Sequence, residues 1–420
     1  MYINRNYFGE SIYEYVNALS NIDLYLKSNC NEKITQTYLS SLNIFITGKK
    51  VNNLLDDWFH MNLQSLLKNK QINKIFIESK SIKYKIPKNK EINIIYRKKL
   101  SEFFNIESYL LPRFGVIGSY TNRFDLKTNY SLLKKNKSFI PLEYLSEQKI
   151  GNDLNKLLKK IISNDVVVFY DYDKDNRKGK RNLEYINNNN ISDELYLRDI
   201  DNQIIFDTLN FLLKKKYSVV RLGRSNNPFP IKNKNFHDLA FNLRKKSNLE
   251  VLDFLIPFNS KFCITLGSGA HECARLFGLP IFFVGYHRFD NLHHLNNSMI
   301  IPKKFFNKKD NLLIPLTKLI NMRIIPYKKL YWESKNIYIK QPSSNEIIFS
   351  LKEFLKYIEI TDNKNFSKLR INKIQFWQKY YLKNNTFYLS QRKSEFGRKE
   401  EFSVIISKFE LERYSEVYFG

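Results

Sequence analysis

Residues 261–286 read KFCITLGSGAHECARLFGLPIFFVGY, and this stretch decides the fold. Lys261–Leu266 is an apolar run of strand length, broken by Gly267-Ser268-Gly269. Ala270–Phe277 is predicted as a short helix, with Gly278 at its C-terminal cap and Pro280 beyond. Leu279–Val284 is again strand-like, which completes a β-α-β unit. Upstream, Tyr217–Leu222 is a strand stopped by Gly223. Ile204–Lys216 places Ile205, Leu209, Leu212 and Leu213 on one helical face and ends on three lysines, which suit a helix C-terminus. Val166–Tyr170 is continuously β-branched and aromatic, fit for a strand buried on both faces. Ser247-Asn248-Leu249-Glu250 reads as a capping box before a helix over Val251–Ile256, which Pro257 is expected to stop. Strands and helices alternating at this spacing make an α/β protein with a parallel, doubly wound sheet.

The flanks are less regular. Residues 1–145 carry apolar bursts at Ser41–Thr47, Ile72–Ile77 and Ile92–Tyr96 among helical stretches such as Val51–Leu67, an α/β pattern that makes them an N-terminal domain. Residues 146–163 are predicted as a helical connector, 164–341 as the second domain, and 342–420 as a C-terminal helical segment holding Glu346–Tyr357 and Lys373–Lys383. Asp173–Asn190 is a polar insertion ending in four asparagines, read as a solvated loop.

The 420 residues allow two or three domains, and 43% hydrophobic with 26% charged residues belongs to a globular chain. Cys30, Cys263 and Cys273 are too few for a disulfide scaffold, and the first residues lack a signal-peptide pattern. A cytoplasmic location is expected. The formal charge of +28 is spread along the chain, and Arg supplies only 17 of the 69 basic residues. Nucleic-acid readers concentrate basic residues and favour Arg, so a specific nucleic-acid partner is not expected. Attraction to phosphates, sugars or an anionic lipid surface fits diffuse charge better, including peripheral contact at the inner face of a membrane.

Ligands of open parallel sheets sit outside the carboxyl ends of the strands. Two loops fall there. In Arg221-Leu222-Gly223-Arg224 two guanidinium groups flank a glycine turn. In Gly267-Ser268-Gly269-Ala270-His271-Glu272 the backbone can approach an anion, and a helix N-terminus points free N–H groups at it. Together they could hold a diphosphate; the alternative is that the glycines only permit a tight turn and close strand-to-helix packing. His271-Glu272-Cys273 lacks the second histidine of a zinc helix, Arg275 standing four positions after His271, so no metal site is expected. Cys263 and Cys273 read as core thiols. His287, His293 and His294 follow a strand end, where they line either a cleft or a polar loop. Asp56 and Asp57, with His60 at helical spacing, supply either a base or a solvated face. A Walker loop, a Gly-x-Ser-x-Gly elbow and a kinase signature are all absent from the sequence.

From Phe139 to Tyr286 the chain resembles a family of bacterial glycosyltransferases of the GT-B type, associated with surface-polysaccharide synthesis. The resemblance rests on Ile140-Pro141-Leu142-Glu143-Tyr144, the strand Val166–Tyr170, Leu197-Arg198-Asp199-Ile200-Asp201, Val219-Val220-Arg221-Leu222-Gly223 and Cys263–Gly269, with Ile405–Tyr414 in the right order behind them. Asp171-Tyr172-Asp173 departs from the family pattern, and the N-terminal domain has no glycine-rich acceptor loop. The resemblance implies two Rossmann-like domains facing a cleft, braced by C-terminal helices, with a nucleotide-sugar donor held by the second domain and no obligatory metal or other cofactor. The acceptor it implies is a glycan or lipid-linked glycan. Arg221, Arg224 and the N–H groups of Ser268 and Gly269 would then offset the leaving diphosphate, with Gly223 and Gly267 giving the turns, Arg198 a further cation and Glu272 a partner for ribose hydroxyls. Asp57 is the candidate base. Arg198 and Arg221 can equally be read as ion-pair partners of Asp199, Asp201 or Asp253. A nucleotide-sugar epimerase and a non-catalytic RNA- or glycan-binding protein are the rival readings.

Overall fold

The run VVVFY at Val166–Tyr170 has no polar residue to show to water, so as a strand it must be covered on both faces. The structure, a computed structural model, buries all five of its residues. It describes residues 2–4, 12, 15–16, 18–20, 41–47, 52–67, 81–86, 90–97, 126–171, 197, 200–223, 225, 227–242, 249–267, 269–287, 289, 297–320, 329–360, 366, 369, 371–384 and 404–419. The chain divides into two units, Met1–Ile150 and Gly151–Gly420, and each has its own sheet. Among the described residues no helix is long and apolar enough to cross a membrane.

In the first unit the elements are β1 (Tyr2–Asn4), β2 (Ser41–Thr47), α1 (Asn53–Leu67), β3 (Ser81–Ile86), β4 (Lys90–Arg97), α2 (Leu126–Lys134) and α3 (Leu142–Lys149). The sheet order is β1-β2-β4-β3, parallel except for the β3/β4 hairpin. The apolar burst at Ile72–Ile77 lies outside the described residues. α1 buries Leu54, Leu55, Trp58, Phe59, Leu63 and Leu66, an apolar stripe at helical spacing. It also explains the Ile140-Pro141 segment. Trp58 Nε1 donates to the Ile140 carbonyl at 2.7 Å, while Asn62 donates to the same carbonyl at 3.0 Å and accepts the Ile140 N–H at 2.7 Å. Pro141 then starts α3, and Glu143 in its first turn takes Tyr130 and Lys134 as partners.

The second unit opens with α4 (Asn152–Ile162), which corrects the expected connector over 146–163. Leu158 and Ile161 of α4 are buried, so the chain breaks between Lys149 and Asn152, and only α3 stays with the first unit. Next come β5 (Val166–Tyr170), α5 (Asn202–Lys214), β6 (Ser218–Leu222), β7 (Phe236–Asp238), α6 (Leu239–Asn242), α7 (Leu252–Phe258), β8 (Phe262–Thr265), α8 (Glu272–Leu276) and β9 (Ile281–Tyr286). They are followed by β10 (Ser298–Pro302), β11 (Lys304–Asn307), α9 (Leu316–Ile320), α10 (Lys329–Ser334), β12 (Ile337–Lys340), α11 (Ser344–Ile360), α12 (Asn372–Asn384), β13 (Val404–Ile406) and α13 (Lys408–Phe419). Seven strands form one parallel sheet in the order β13-β10-β9-β8-β5-β6-β7, while β11 and β12 pair as a separate antiparallel ribbon. Counted along the chain, the sheet runs 3-2-1-4-5-6-7, and its first six strands have the Rossmann order. Successive strand residues face opposite sides. Phe262 meets Phe354 of α11, which lies beside α5; Cys263 instead faces the layer of α7 and α8. Helices therefore cover both faces.

Two details differ from the sequence reading. Pro257 lies one residue before the end of α7 instead of stopping it, because Leu249–Val251 form a 3-10 turn and α7 starts late. Residues 342–420 are not all helical, since β13 adds the seventh strand to the sheet beside β10.

The end of the chain is pinned around the buried Lys304, with Arg413 of α13 a second, more exposed cation 3.6 Å from Glu346. α11 starts on Ser343-x-x-Glu346 and α13 on Ser407-x-x-Glu410, and both glutamates reach Lys304, Glu346 at 2.7 Å and Glu410 at 3.3 Å. The ammonium also sits 4.4 Å from the Tyr414 ring centre. Burial would raise both carboxyls. At Glu346 the hydrogen bonds from Lys304 and Ser343 win and hold it down to about 2, whereas Glu410 stays raised. Lys304→Ala leaves the buried Glu410 carboxylate without its cation and Glu346 with Arg413 alone, and a loss of about 3–5 kcal/mol is expected in denaturant unfolding. The acid limb has a definite sign. A depressed carboxyl stabilises the fold above its ordinary value of 4.5, and that share is lost as pH falls through about 2. Glu410, being raised, contributes in the opposite sense, so Glu346→Gln is expected to flatten the fall in melting temperature on acidification.

Candidate ligand site at the strand switch point

In the 3-2-1-4-5-6 order the chain leaves β5 toward one edge of the sheet and later returns to β8 on its other side. β5 and β8 are therefore neighbours whose connections diverge, the switch point outside whose carboxyl ends ligands of such sheets bind. Asp171 follows β5 there, and Leu266-Gly267 follows β8. The candidate loop after Lys261–Leu266 therefore stands at the switch point. Gly267 has φ +82°, a conformation that L side chains rarely adopt, and its N–H lies 3.2 Å from Thr265 Oγ1. Gly269 has no positive φ, and a Cβ built on it would meet nothing within 4 Å among the described residues. Close packing thus does not call for glycine at 269. Ser268 lies outside the described residues.

The helix behind this loop is shorter than the expected Ala270–Phe277. Gly269–His271 form a 3-10 turn, and α8 has only five residues before Gly278, at φ +69°, closes it. The Leu279 N–H bonds the Ala274 carbonyl and the Gly278 N–H bonds that of Arg275, the pattern of a Schellman cap. So few aligned peptides give a weak dipole, and the anion attraction expected of this helix N-terminus shrinks accordingly. Glu272 is engaged as well: both its oxygens accept from Arg275 Nη1, at 3.1 and 2.8 Å, and His271 Nε2 lies 3.6 Å away. Arg275 is buried, so this i,i+3 pair fixes Glu272 against its own helix.

Arg221 occupies a different place from the one expected. In the sheet register it lies between Phe169 of β5 and Asp238 of β7. Nε donates to Asp171 Oδ2 at 2.9 Å and Nη2 to the same carboxylate. Nη2 also donates to Ser225 Oγ at 3.0 Å, and Nη1 reaches both the Asn227 carbonyl and Asp238 Oδ2 at 3.0 Å. All five N–H donors are used, and two carboxylates surround one cation. The expected partners Asp199, Asp201 and Asp253 are replaced by Asp171 and Asp238. Asp238 in turn accepts the N–H groups of Phe229 and Phe241, and the guanidinium lies 5.3 Å from the Phe229 ring centre. Arg221 therefore moors the Gly223–Phe229 loop, whose Gly223 turns at φ +119°. As a correction to the sequence reading, it is a positioning residue with no donor left for a diphosphate.

Arg198 and Arg224 lie outside the described residues, as do Cys30, His293, His294 and the whole Asp173–Asn190 insertion. Asp57, in the first unit, is half-buried and pairs with Lys149 at 2.9 Å, while its neighbour Asp56 is buried and accepts from Tyr15. His287 is buried directly after β9. Cys263 and Cys273 are both buried and free, as expected of core thiols, and burial raises both. Among the described residues no His, Cys, Asp and Glu gather as a metal-binding group. Asp171 and Asp238 are the residues that sequence reasoning missed. A lone arginine inside the apolar run SVVRL was their signal, since such a cation must find acids on adjoining strands. Comparison with family models, with curated proteins and with solved structures yields no match.

Arg221→Ala leaves Asp171 and Asp238 without their cation. It is expected to lower unfolding stability by about 3–5 kcal/mol, read from denaturant midpoints. Stability within the scatter of repeat wild-type measurements would return Arg221 to the role of a ligand contact.

Proposed function

We propose that the chain is a glycosyltransferase of the GT-B kind, moving a sugar from a nucleotide-sugar donor to a cell-surface glycan or glycolipid. In this reading the second unit binds the donor, with its diphosphate over the loop at residues 267–269. The single observation that supports it is the open space at Gly269, on the strand-end loop that the Rossmann order places at the switch point. With no Cβ at Gly269, an anion can approach the peptide N–H groups there.

The chemistry breaks the bond between the anomeric carbon and the diphosphate oxygen and forms one to an acceptor oxygen, whose proton passes to a base. Charge builds on the departing diphosphate, so fixed donors and cations near it lower the barrier. Arg221 is spent on its own carboxylates; Arg198 and Arg224 are proposed as the cations, Ser268 and Gly269 as the backbone donors, and Glu272 as the partner of the ribose. Asp57 is proposed as the base, and its exposed pairing with Lys149 is too weak to withhold it.

Gly269→Asp tests the donor site. With ordinary φ and open space, the variant is expected to keep its circular-dichroism spectrum and melting temperature while losing nucleotide-sugar binding by calorimetry, because the carboxylate fills the space and repels the diphosphate. Retained affinity in the folded variant would sink the site. A panel of nucleotide-sugars assayed for nucleoside diphosphate release, with and without glycan acceptors, tests the reaction. Acceptor-dependent release is expected. Conversion of the donor without release would make the protein an epimerase.

A further inference from the structure

α12 reads NKIQFWQKYYLKN and contains no carboxylate. Ile374, Trp377 and Gln378 are buried on the side that packs against β13, α9 and α13. Lys373, Phe376, Lys379 and Lys383 are exposed at helical spacing, Phe376 to 52%. Beside them the Phe419 ring of α13 meets Phe376 at 5.2 Å and Tyr380 at 4.8 Å, and α13 also exposes Val417. Among the described residues no carboxylate pairs with the three lysines. The Phe376 ring thus shares the exposed side of α12 with three lysines that have no carboxylate partner among the described residues, and the chain as a whole carries +28.

We propose that this face of α12, with the end of α13, docks on an anionic lipid membrane. Rings at headgroup depth flanked by lysines are the make-up of a helix lying in the membrane interface. Three observations favour lipid over other anionic or apolar partners. α12 carries no arginine, the residue that grips nucleic-acid phosphates bidentately. The rings are engaged with one another, Phe376 and Phe419 edge-on at 82°, rather than set apart as stacking platforms for bases. A second copy seated on the same face would bring lysine against lysine. The surface lies on elements remote in sequence from the loops after β5 and β8, so it stands or falls separately from the donor site.

Co-sedimentation of the full chain with phosphatidylcholine vesicles, with and without phosphatidylserine, tests the proposal. Binding is expected only with phosphatidylserine and is expected to weaken as salt rises. Changing Lys373→Gln, Lys379→Gln and Lys383→Gln together is expected to lower vesicle affinity about 100-fold, about fivefold for each lysine. Phe376→Ser is expected to lower it by about tenfold or more through lost apolar insertion. All four positions are exposed, and donor binding by calorimetry is expected to stay at the wild-type value. The control is Lys156→Gln, Lys159→Gln and Lys160→Gln on α4, three exposed lysines whose loss is expected to cost little. Equal losses from the two triple variants would overturn the proposal in favour of diffuse net charge. So would unchanged vesicle binding by folded Phe376→Ser, or a dimer that Phe376→Ser dissociates while vesicle binding persists. Single-stranded oligonucleotide binding that the α12 triple variant abolishes, with vesicle binding intact, would assign the face to nucleic acid instead.

Discussion

A parallel sheet whose strands are apolar on both sides has to be roofed on both sides, and the second unit is organised by that demand. VVVFY and IFFVGY are buried along their whole length, so neither strand tolerates a wet face. The chain meets the demand by laying α5 and α11 over one face and α4, α7 and α8 over the other. Changing faces requires changing direction. After β7 the chain crosses back past β5 to start β8, and the two strands whose connections diverge are then neighbours. In open parallel sheets it is outside the carboxyl ends of such a pair that ligands bind. The place of the candidate site follows from covering the sheet, before any residue in it is considered.

The same edge holds the buried charge. Arg221 stands between Asp171 and Asp238, and Lys304 between Glu346 and Glu410. Such groups add little net stability compared with apolar residues of the same size, but each can be satisfied in only one arrangement. Arg221 is satisfied only when β5, β6 and β7 end together and the following loop folds back over it. Lys304 is satisfied only when α11 and α13 start at the same place, which seats β13 between them in sequence and beside β10 in space. In this chain, buried ions fix where loops and terminal helices come to rest.

Long apolar runs made much of this legible. Ser41–Thr47 and Val166–Tyr170 were read with the boundaries they have, and β6, β8 and β9 to within a residue or two at each end. β7 and β13, three residues each, were not, because FHD and VII are too short to show a period. Their strand state comes from neighbours: β6 recruits β7 and β10 recruits β13. The Ser-x-x-Glu starts of α11 and α13 were available to reading as capping boxes, whereas their shared cation was not. Arg221 shows the same limit. Its carboxylates lie 50 and 17 residues away, and only the strand order brings them together. Gly267 and Gly269 were picked out together, yet only the backbone separates a glycine held by its φ from one with open space around it.

Net charge and local charge part company in this protein. A total of +28 suggests a strongly cationic ligand site, but the described side chains around the switch point do not supply one. Arg221 is outnumbered by carboxylates, and Arg275 is matched by Glu272. On the proposed reading, attraction for an anion at the switch point then comes from short-range sources, the peptide N–H groups of the glycine loop with Arg198 and Arg224. The surplus instead sits on exposed lysines, where water and salt screen it within about 8–10 Å. A charge so placed hardly binds a diphosphate held at the switch point. It does act on an extended anionic surface that meets many lysines at once, and on α12 three of them accompany the exposed Phe376 ring. Composition therefore speaks to what the whole chain approaches, and the strand order to what one switch point holds.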